Sequence, residues 1–507
     1  MIYTIGEIIT QTSLKTPDKT ALIFDGQRYS YRELERKINQ CARKLIGQGI
    51  AKGEKAALFI TNAPEFIIAY FALIRIGAVV VPVNTQLKLR ELQYILENCQ
   101  TRMLLTNLAT DSFINQTLPH LTTVQQAIVL TTDPKIAGDG RIQFWNLQTE
   151  EGANDHPGLS LIDADEAVII YTSGTTGQPK GVVLTHLNIL SNVNSIVHYL
   201  RLTEDDNTLI FLPLFYSYAL SQMLTVLRAG GTITLMRDFL FPQRALSLVG
   251  QEGVTGFGGV PTTYNILLRI GNLPTYNLSS LRYILNAGGP IYPAIIERLL
   301  SAFPGVEIIN NYGCSEVAPR ATYLDFKYAR EKIGSIGKAI PNVQVRVLNP
   351  DGREVVPGET GEIVIRGSNV MKGYLNNPVE TGRVLQKDGL HTGDMATIDE
   401  DGFIFIKGRK SDIINCRGEK ISAKEVEAVL ISHPAVYEAA VVGMPDEILG
   451  EAVKAYIVSK DGQLVNKEEL LIFCARNLAS YKVPKVVEFV AQLPKTASGK
   501  VQKHLLK

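Results

Sequence analysis

The sequence predicts a multidomain α/β protein, and three observations carry that prediction. Apolar strand-like runs alternate with helically spaced segments from the N-terminus to about residue 310, without internal repeats. That alternation is expected of helices layered on largely parallel sheets. From Gly334 the texture changes to short strands broken by Gly-containing turns, with DG at 351–352, GEIVIR at 361–366 and DG at 401–402. This predicts an all-β subdomain over about 334–408. After GRKSD at 408–412 a fresh pattern of helix and strand begins and runs for about a hundred residues, a domain-sized length.

Taken in order, ALIF at 21–24 and RYS at 28–30 flank Asp25-Gly26, a hairpin signal. Ser30 and Glu33 have capping-box spacing, and Leu34, Ile38, Cys41, Ala42 and Leu45 follow on one helical stripe. Residues 55–60 read as a strand, 64–76 as a helix, 78–83 as a strand, 89–98 as a helix and 102–106 as extended chain. The polar stretch 131–165 reads as a long surface connection. Strands are expected at 209–214, 231–236, 281–289 and 306–310, with a helix at 221–229. Beyond the boundary, helices are expected at 423–432 and 467–479, and strands at 439–443, 452–458 and 486–489.

Composition narrows the function. The 507 residues carry 51 Lys+Arg against 50 Asp+Glu, a net charge of +1, which leaves no electrostatic footprint for nucleic acid. Five cysteines (41, 99, 314, 416 and 474) form no C-x-x-C pair, so neither a disulfide framework nor a structural zinc is indicated, and a reducing, cytoplasmic setting is expected. The N-terminal residues lack the basic and apolar regions of a signal peptide. The most apolar window, 66–83, is broken by Arg75 and Gly77 and reads as buried helix plus strand, with no membrane span.

The chemistry gathers around YTSGTTGQPKG at 171–181, which an apolar run enters and another leaves. Glycines let successive backbone N–H groups turn inward, and hydroxyls and an ammonium add donors, so the loop suits a phosphate; a polar surface loop is the plainer alternative. It is not the kinase-like phosphate loop, whose lysine directly follows the second glycine, because Pro179 precedes Lys180. This loop, the 215–219 segment, Gly288-Gly289-Pro290 and NYGCSE at 311–316 all follow strand-like runs. Ligands of open α/β sheets gather outside the carboxyl ends of strands, so these elements are expected to share one site.

In order along the chain, the 171–181 loop, NYGCSE at 311–316, Gly361-Glu362, HTGD at 391–394, Gly408-Arg409 and PKTASGK at 494–500 resemble the adenylate-forming superfamily of acyl- and aryl-CoA ligases, luciferases and peptide-synthetase adenylation domains. The resemblance spans essentially the whole chain. It implies a large N-terminal domain, residues 1–408, of two α/β subdomains plus a small β-barrel. A hinge at 409–412, centred on Ser411, would join it to a small mobile α+β domain, residues 413–507. It further implies an ATP- and Mg²⁺-dependent ligase that converts a carboxylic acid to acyl-AMP, releases pyrophosphate, and passes the acyl group to a phosphopantetheine thiol of CoA or a carrier protein.

By the same resemblance, Ser173, Gly174, Thr175, Thr176, Gly177 and Lys180 would hold the phosphates of ATP. Gly288, Gly289, Pro290, Asn311, Tyr312 and Gly313 would frame the nucleotide, with Tyr312 against adenine; Ser315 would contact phosphate and Glu316 would ligate Mg²⁺. Asp394 would accept from both ribose hydroxyls with Arg409 assisting, and Lys500 would reach the α-phosphate from the small domain. Rotation about Ser411 would then bring the loop containing Gly418 to a pantetheine tunnel. Taken alone, Asp394 could be a turn residue, Glu316 a helix-terminus charge and Lys500 a solvated lysine. His186 reads as structural, and Cys314 and Cys416 lack a histidine partner for nucleophilic catalysis.

The sequence departs from the family at LFYSYA, 214–219, where Tyr216 stands in the place of a frequent histidine. Tyr216, Tyr218, Phe257 and Gly258, with Gly288 and Gly313, are expected to line the acid pocket, and the rings favour a small, aromatic or cyclic acid over a long chain. CRGEKIS at 416–422 also departs from the common CoA-ligase pattern. A stand-alone adenylation enzyme that loads a small amino acid such as proline onto a peptidyl carrier protein is therefore the second reading.

Overall fold

The computed structural model describes residues 2–131, 140–147, 155–172, 178–271, 273–289, 291–416, 419–446, 450–460, 466–495 and 501–506. Two large sheets dominate. The first has eight strands, in the order Gly373–Tyr374, Lys180–Thr185, Glu166–Thr172, Val79–Pro82, Lys55–Phe59, Met103–Thr106, Gln126–Leu130 and Ile142–Trp145. The second has nine and is built around the parallel strands Glu307–Tyr312, Tyr283–Asn286, Gly256–Gly259, Asn207–Ile210 and Thr232–Leu235.

The expected hairpin forms between Thr20–Phe24 and Gln27–Ser30, with Asp25 and Gly26 both at positive φ (48° and 82°), as a tight twist-matched turn requires. Its first strand pairs in parallel with Thr232–Leu235, so the N-terminal segment completes the second sheet rather than the first. The Ser30 hydroxyl accepts from the Glu33 N–H at 3.2 Å, and the Glu33 carboxylate accepts from the Ser30 N–H at 2.7 Å. Helix Pro64–Arg75 is apolar on every face and buried from Phe66 onward, in a core that joins side chains of both sheets. Among the described residues no helix is long and apolar enough to cross a membrane.

The stretch expected to be only a surface connection contains strand Ile142–Trp145, which pairs with Gln126–Leu130 at the edge of the first sheet. The strand is only four residues long and flanked by polar sequence, so its signal is weak, although Ile142 and Phe144 pack against the core beneath the first sheet. Trp145 is buried, and the Lys44 ammonium lies 4.1 Å from its ring centroid.

His186 caps the packing between the N-terminus and the first sheet: its Nδ1 accepts from the Ile5 N–H at 3.2 Å. Burial lowers its pKa from 6.5 to about 4, against a smaller opposing pull from Asp165. The unfolded chain therefore takes up this proton first. Stability is full above pH 6.5 and falls as pH drops toward 4, a loss of about 3 kcal/mol at the lower limit. Urea midpoints measured across that window should slope for the wild type and flatten for His186→Asn; equal slopes would assign the effect to another group.

From Val343 the chain forms a five-stranded antiparallel sheet, with Val343–Leu348, Thr360–Gly367, Gly389–Ile398 and Leu385–Gln386 in order and Ile404–Arg409 paired to Gly389–Ile398. After the short 3₁₀ turn Lys410–Asp412 the partners change. Ile413–Cys416 pairs with Glu419–Ser422 and belongs to a separate sheet with Gly450–Ser459, Val436–Asp446 and Val486–Phe489. Helices Ala423–Ser432 and Lys467–Asn477 pack on this sheet and share its core. This unit touches the larger body through Tyr292, whose hydroxyl donates to Glu427 at 3.4 Å, and Arg269, stacked 4.0 Å from the Tyr437 ring centroid.

Candidate active site

Three parallel strands of the second sheet, Gly256–Gly259, Tyr283–Asn286 and Glu307–Tyr312, end side by side. Their carboxyl ends, together with strand Gly389–Ile398 of the antiparallel sheet, make the site. Tyr312 closes the last of the three, and its hydroxyl donates to Asp394 Oδ2 at 2.7 Å. Arg409 Nε donates to the other oxygen, Oδ1, at 2.8 Å. Asp394 is 8% exposed. Each of its oxygens keeps a further lone-pair direction, so the carboxylate is oriented by protein and still able to accept two donors. Burial, then the neighbouring carboxylate, pushes the Tyr312 phenol well up, and Asp394 raises the Arg409 pKa. The pair therefore stays a neutral donor and a full cation beside the anion.

The turn that presents Asp394 is shaped by Gly393, at φ +73°, whose N–H donates to Glu362 Oε1 at 2.9 Å. Gly361-Glu362 is thereby explained as a brace for that turn. Gly313 is required for a different reason. A β-carbon there would lie 1.8 Å from the Pro319 carbonyl oxygen, because the 313–320 loop folds back on its own start.

That loop carries Ser315, whose hydroxyl is 3.1 Å from the Ser217 hydroxyl, and Glu316, whose Oε1 accepts from the Tyr374 hydroxyl at 2.9 Å. Tyr374 lies in the edge strand paired to Lys180–Thr185, and the Lys180 ammonium sits 5.4 Å from its ring centroid. Lys180 itself is ion-paired with Glu380, which also accepts from Arg383 at 3.1 Å. Tyr374 and Glu380 were missed from the sequence, because only the pairing of residues 373–374 with 182–183 brings them to Lys180.

Tyr218 and Gly258 come together as expected. A β-carbon on Gly258 would lie 2.6 Å from the Tyr218 hydroxyl and 2.8 Å from the Gln222 amide. The Tyr218 hydroxyl donates to the Leu285 carbonyl at 2.9 Å. Tyr216 precedes helix Ser217–Ala229 and stacks, tilted, 4.6 Å from Phe215. Two of the expected site residues have side chains committed to the fold. Phe257 faces the opposite side of its strand, into the second core with Phe211 and Phe239, because successive strand residues alternate faces. It does not share a wall with Tyr218. The Asn311 side chain accepts from Tyr199 at 2.9 Å and donates to the Asn286 and Ile309 carbonyls, so the fold consumes its amide.

Gly288 takes φ +80°, and Gly289 faces Pro261. Cys314 has its thiol pushed well up by burial and then by Glu316, which removes it as a thiolate nucleophile. Ser173, Gly174, Thr175, Thr176, Gly177, Pro290, Gly418 and Lys500 lie outside the described residues, as does the side chain of Ser411. A lysine not singled out from the sequence, Lys424 of helix Ala423–Ser432, donates to the Ile406 carbonyl at 3.4 Å. Burial lowers its pKa to about 8, against the opposing pull of Glu427 and Asp394.

An oriented, buried carboxylate beside a lysine, hydroxyls and a second carboxylate, all at sheet ends and next to a small appended domain, defines an adenylate-forming enzyme. The chain belongs to the AMP-binding enzyme family. That family's profile matches residues 9–375, and the AMP-binding enzyme C-terminal domain matches residues 425–500. A feruloyl-CoA synthase from Amycolatopsis is 36% identical over 98% of this chain and 97% of its own length. The o-succinylbenzoate CoA synthetase of Bacillus subtilis, solved with its acyl-adenylate intermediate, superposes with a TM-score of 0.87 at 31% identity, covering 99% of this chain and 98% of that one. The same Bacillus enzyme has been solved with ATP and a magnesium ion, at a TM-score of 0.86, 31% identity and 99% coverage of each chain. This protein is an AMP-forming acid–thiol ligase: it activates a carboxylic acid as acyl-AMP at the expense of ATP and transfers the acyl group to a thiol as a thioester. The relatives are CoA ligases, so the amino-acid-loading alternative is not favoured.

Proposed function

We propose that the ends of Gly256–Gly259, Tyr283–Asn286 and Glu307–Tyr312 hold ATP and a small or ring-bearing carboxylic acid, and that CoA is the thiol acceptor. The observation that carries the reading is Asp394, fixed through both oxygens by Tyr312 and Arg409 yet left with acceptor capacity on each. A vicinal ribose diol offers two donors at matching separation. Lys180 meets the phosphates of the leaving pyrophosphate, and Ser315 supports them from the 313–320 loop.

The donor set suits magnesium. Glu316 supplies one hard carboxylate, and Mg²⁺ characteristically takes one or two carboxylates with the rest of its shell from phosphate and water. When bound there, the ion would neutralise phosphate charge. The protein's own part is positional: Tyr374 orients Glu316, and Tyr312 with Arg409 orients Asp394, so no donor has to reorganise as the acid approaches the α-phosphorus. Acid-dependent pyrophosphate release across fatty, aromatic, dicarboxylic and amino acids, with CoA and carrier protein offered separately, tests the reading. Release with aromatic or short acids and transfer to CoA is expected; preference for a long-chain acid, or transfer to carrier protein alone, would overturn it.

Glu380 competes with ATP for Lys180. Its pair with Lys180 is partly buried, at 20% and 11% side-chain exposure, and worth about 1 kcal/mol or less. Glu380→Gln should therefore lower KM for ATP by roughly two- to fivefold with kcat unchanged. A raised KM would mean that Glu380 positions Lys180 for the phosphate instead.

A further inference from the structure

Two arginines are almost wholly enclosed, and they differ in one respect. Arg75, 1% exposed, is paired with Glu35 at 2.8 Å and also donates to the Gly6 carbonyl and the Thr10 hydroxyl. Arg320, 2% exposed, has no carboxylate partner among the described residues, and its Nε and Nη1 have no acceptor. Its backbone is firmly placed: its carbonyl accepts from Asn192 at 2.8 Å and from Asn369 at 2.9 Å. The guanidinium lies over the Tyr218 ring, 4.6 Å from the centroid. One helical turn beyond Tyr218, Gln222 is 3% exposed, and neither its Oε1 nor its Nε2 has a partner. Tyr218 and Gln222 both close on the space above Gly258.

Native interiors rarely leave polar groups unmatched, and an unpaired buried cation is the most costly of them. A tyrosine face attracts a guanidinium but accepts no hydrogen bond in its place. The missing partner must bear negative charge and arrive from outside the fold. We propose that the acid this enzyme activates carries a second carboxylate, remote from the one adenylated, which Arg320 neutralises and the Gln222 amide hydrogen-bonds. The inference rests on the reading of Tyr218 and Gly258 as the wall of the acid pocket. Tyr218 holds the guanidinium in orientation, and the absence of a side chain at Gly258 lets Tyr218 and Gln222 pack together against that strand end. An amino-acid ammonium is excluded from the same place by charge.

The test compares matched acids in pyrophosphate release: straight-chain diacids of three to eight carbons with their monomethyl esters, and benzoic and cinnamic acids with and without a ring carboxylate. At least one dicarboxylic acid should exceed its uncharged counterpart by about a hundredfold or more in kcat/KM, since a site built to bind a polar group strongly rejects the analogue lacking it. Arg320→Met, which keeps bulk beside Tyr218, should erase that ratio and leave KM for ATP unchanged, and Gln222→Leu should reduce it in part. The wild-type comparison stands by itself should the arginine variant fail to fold. Preference for uncharged acids throughout overturns the proposal, as does a rise in KM for ATP with equal losses on both acids, which would place Arg320 on the phosphate or the reacting carboxylate. Absence of pyrophosphate release with every acid would instead sink the parent reading of the site.

Discussion

Asp394→Ala is expected to lower kcat/KM for ATP by at least about a hundredfold, because two hydrogen bonds to an ionised acceptor, each worth roughly 1.5–3 kcal/mol, are lost together. The variant also strands the donors that hold the carboxylate, the Tyr312 hydroxyl at 2.7 Å and Arg409 Nε at 2.8 Å. A merely structural aspartate would give a similar loss with any nucleotide. The discriminating measurement uses 2′,3′-dideoxy-ATP. The wild type should penalise the missing hydroxyls about as heavily as the mutation penalises ATP, and Asp394→Ala should no longer distinguish the two nucleotides. If the variant still discriminates against the dideoxy analogue, the ribose contact lies elsewhere.

Lys500→Ala should all but abolish acyl-adenylate formation while leaving thioester formation from presupplied acyl-adenylate nearly intact. Removing one preorganised donor from charge developing in a transition state costs roughly 10²–10³ in rate, and a lysine that leaves the site when the small domain rotates contributes nothing to the second step. The two half-reactions, measured separately by pyrophosphate release and by CoA consumption from synthetic adenylate, give the split. Equal losses in both, in a folded variant, would contradict the assignment. The residue falls outside the described part of the structure, so this expectation stands on the PKTASGK motif at 494–500.

The elements that sequence reasoning placed best are those whose signals are local. The Asp25-Gly26 turn, the Ser30/Glu33 capping box and the all-apolar helix at 64–75 each depend on side chains within a few positions of one another, and each formed. Strand Ile142–Trp145 was overlooked because its support comes from an edge pairing with residues 126–130. Two features of the site are also local. Period-two alternation already separates Phe257 from Gly256 and Gly258, and Gln222 lies four residues from Tyr218 on one helix, so both follow from simple spacing.

The sequence alone determined the chemical inventory: a glycine- and hydroxyl-rich loop with Lys180, a glutamate after NYG, an aspartate after a glycine turn, and their order along the chain. Those features are properties of residue type and short spacing. Tertiary structure decided which of their atoms are committed to the protein and which remain for a ligand. It gave both Asp394 oxygens an orienting donor, spent the Asn311 amide on Tyr199 and two carbonyls, tied Lys180 to Glu380, and left Arg320 enclosed with no anion among the described residues. Most of these partners come from strand registers and loop returns that span between 15 and 200 residues of sequence, as in Asp394–Arg409 and Lys180–Glu380. No local pattern encodes such contacts, since each is fixed only when the sheets close around a common core.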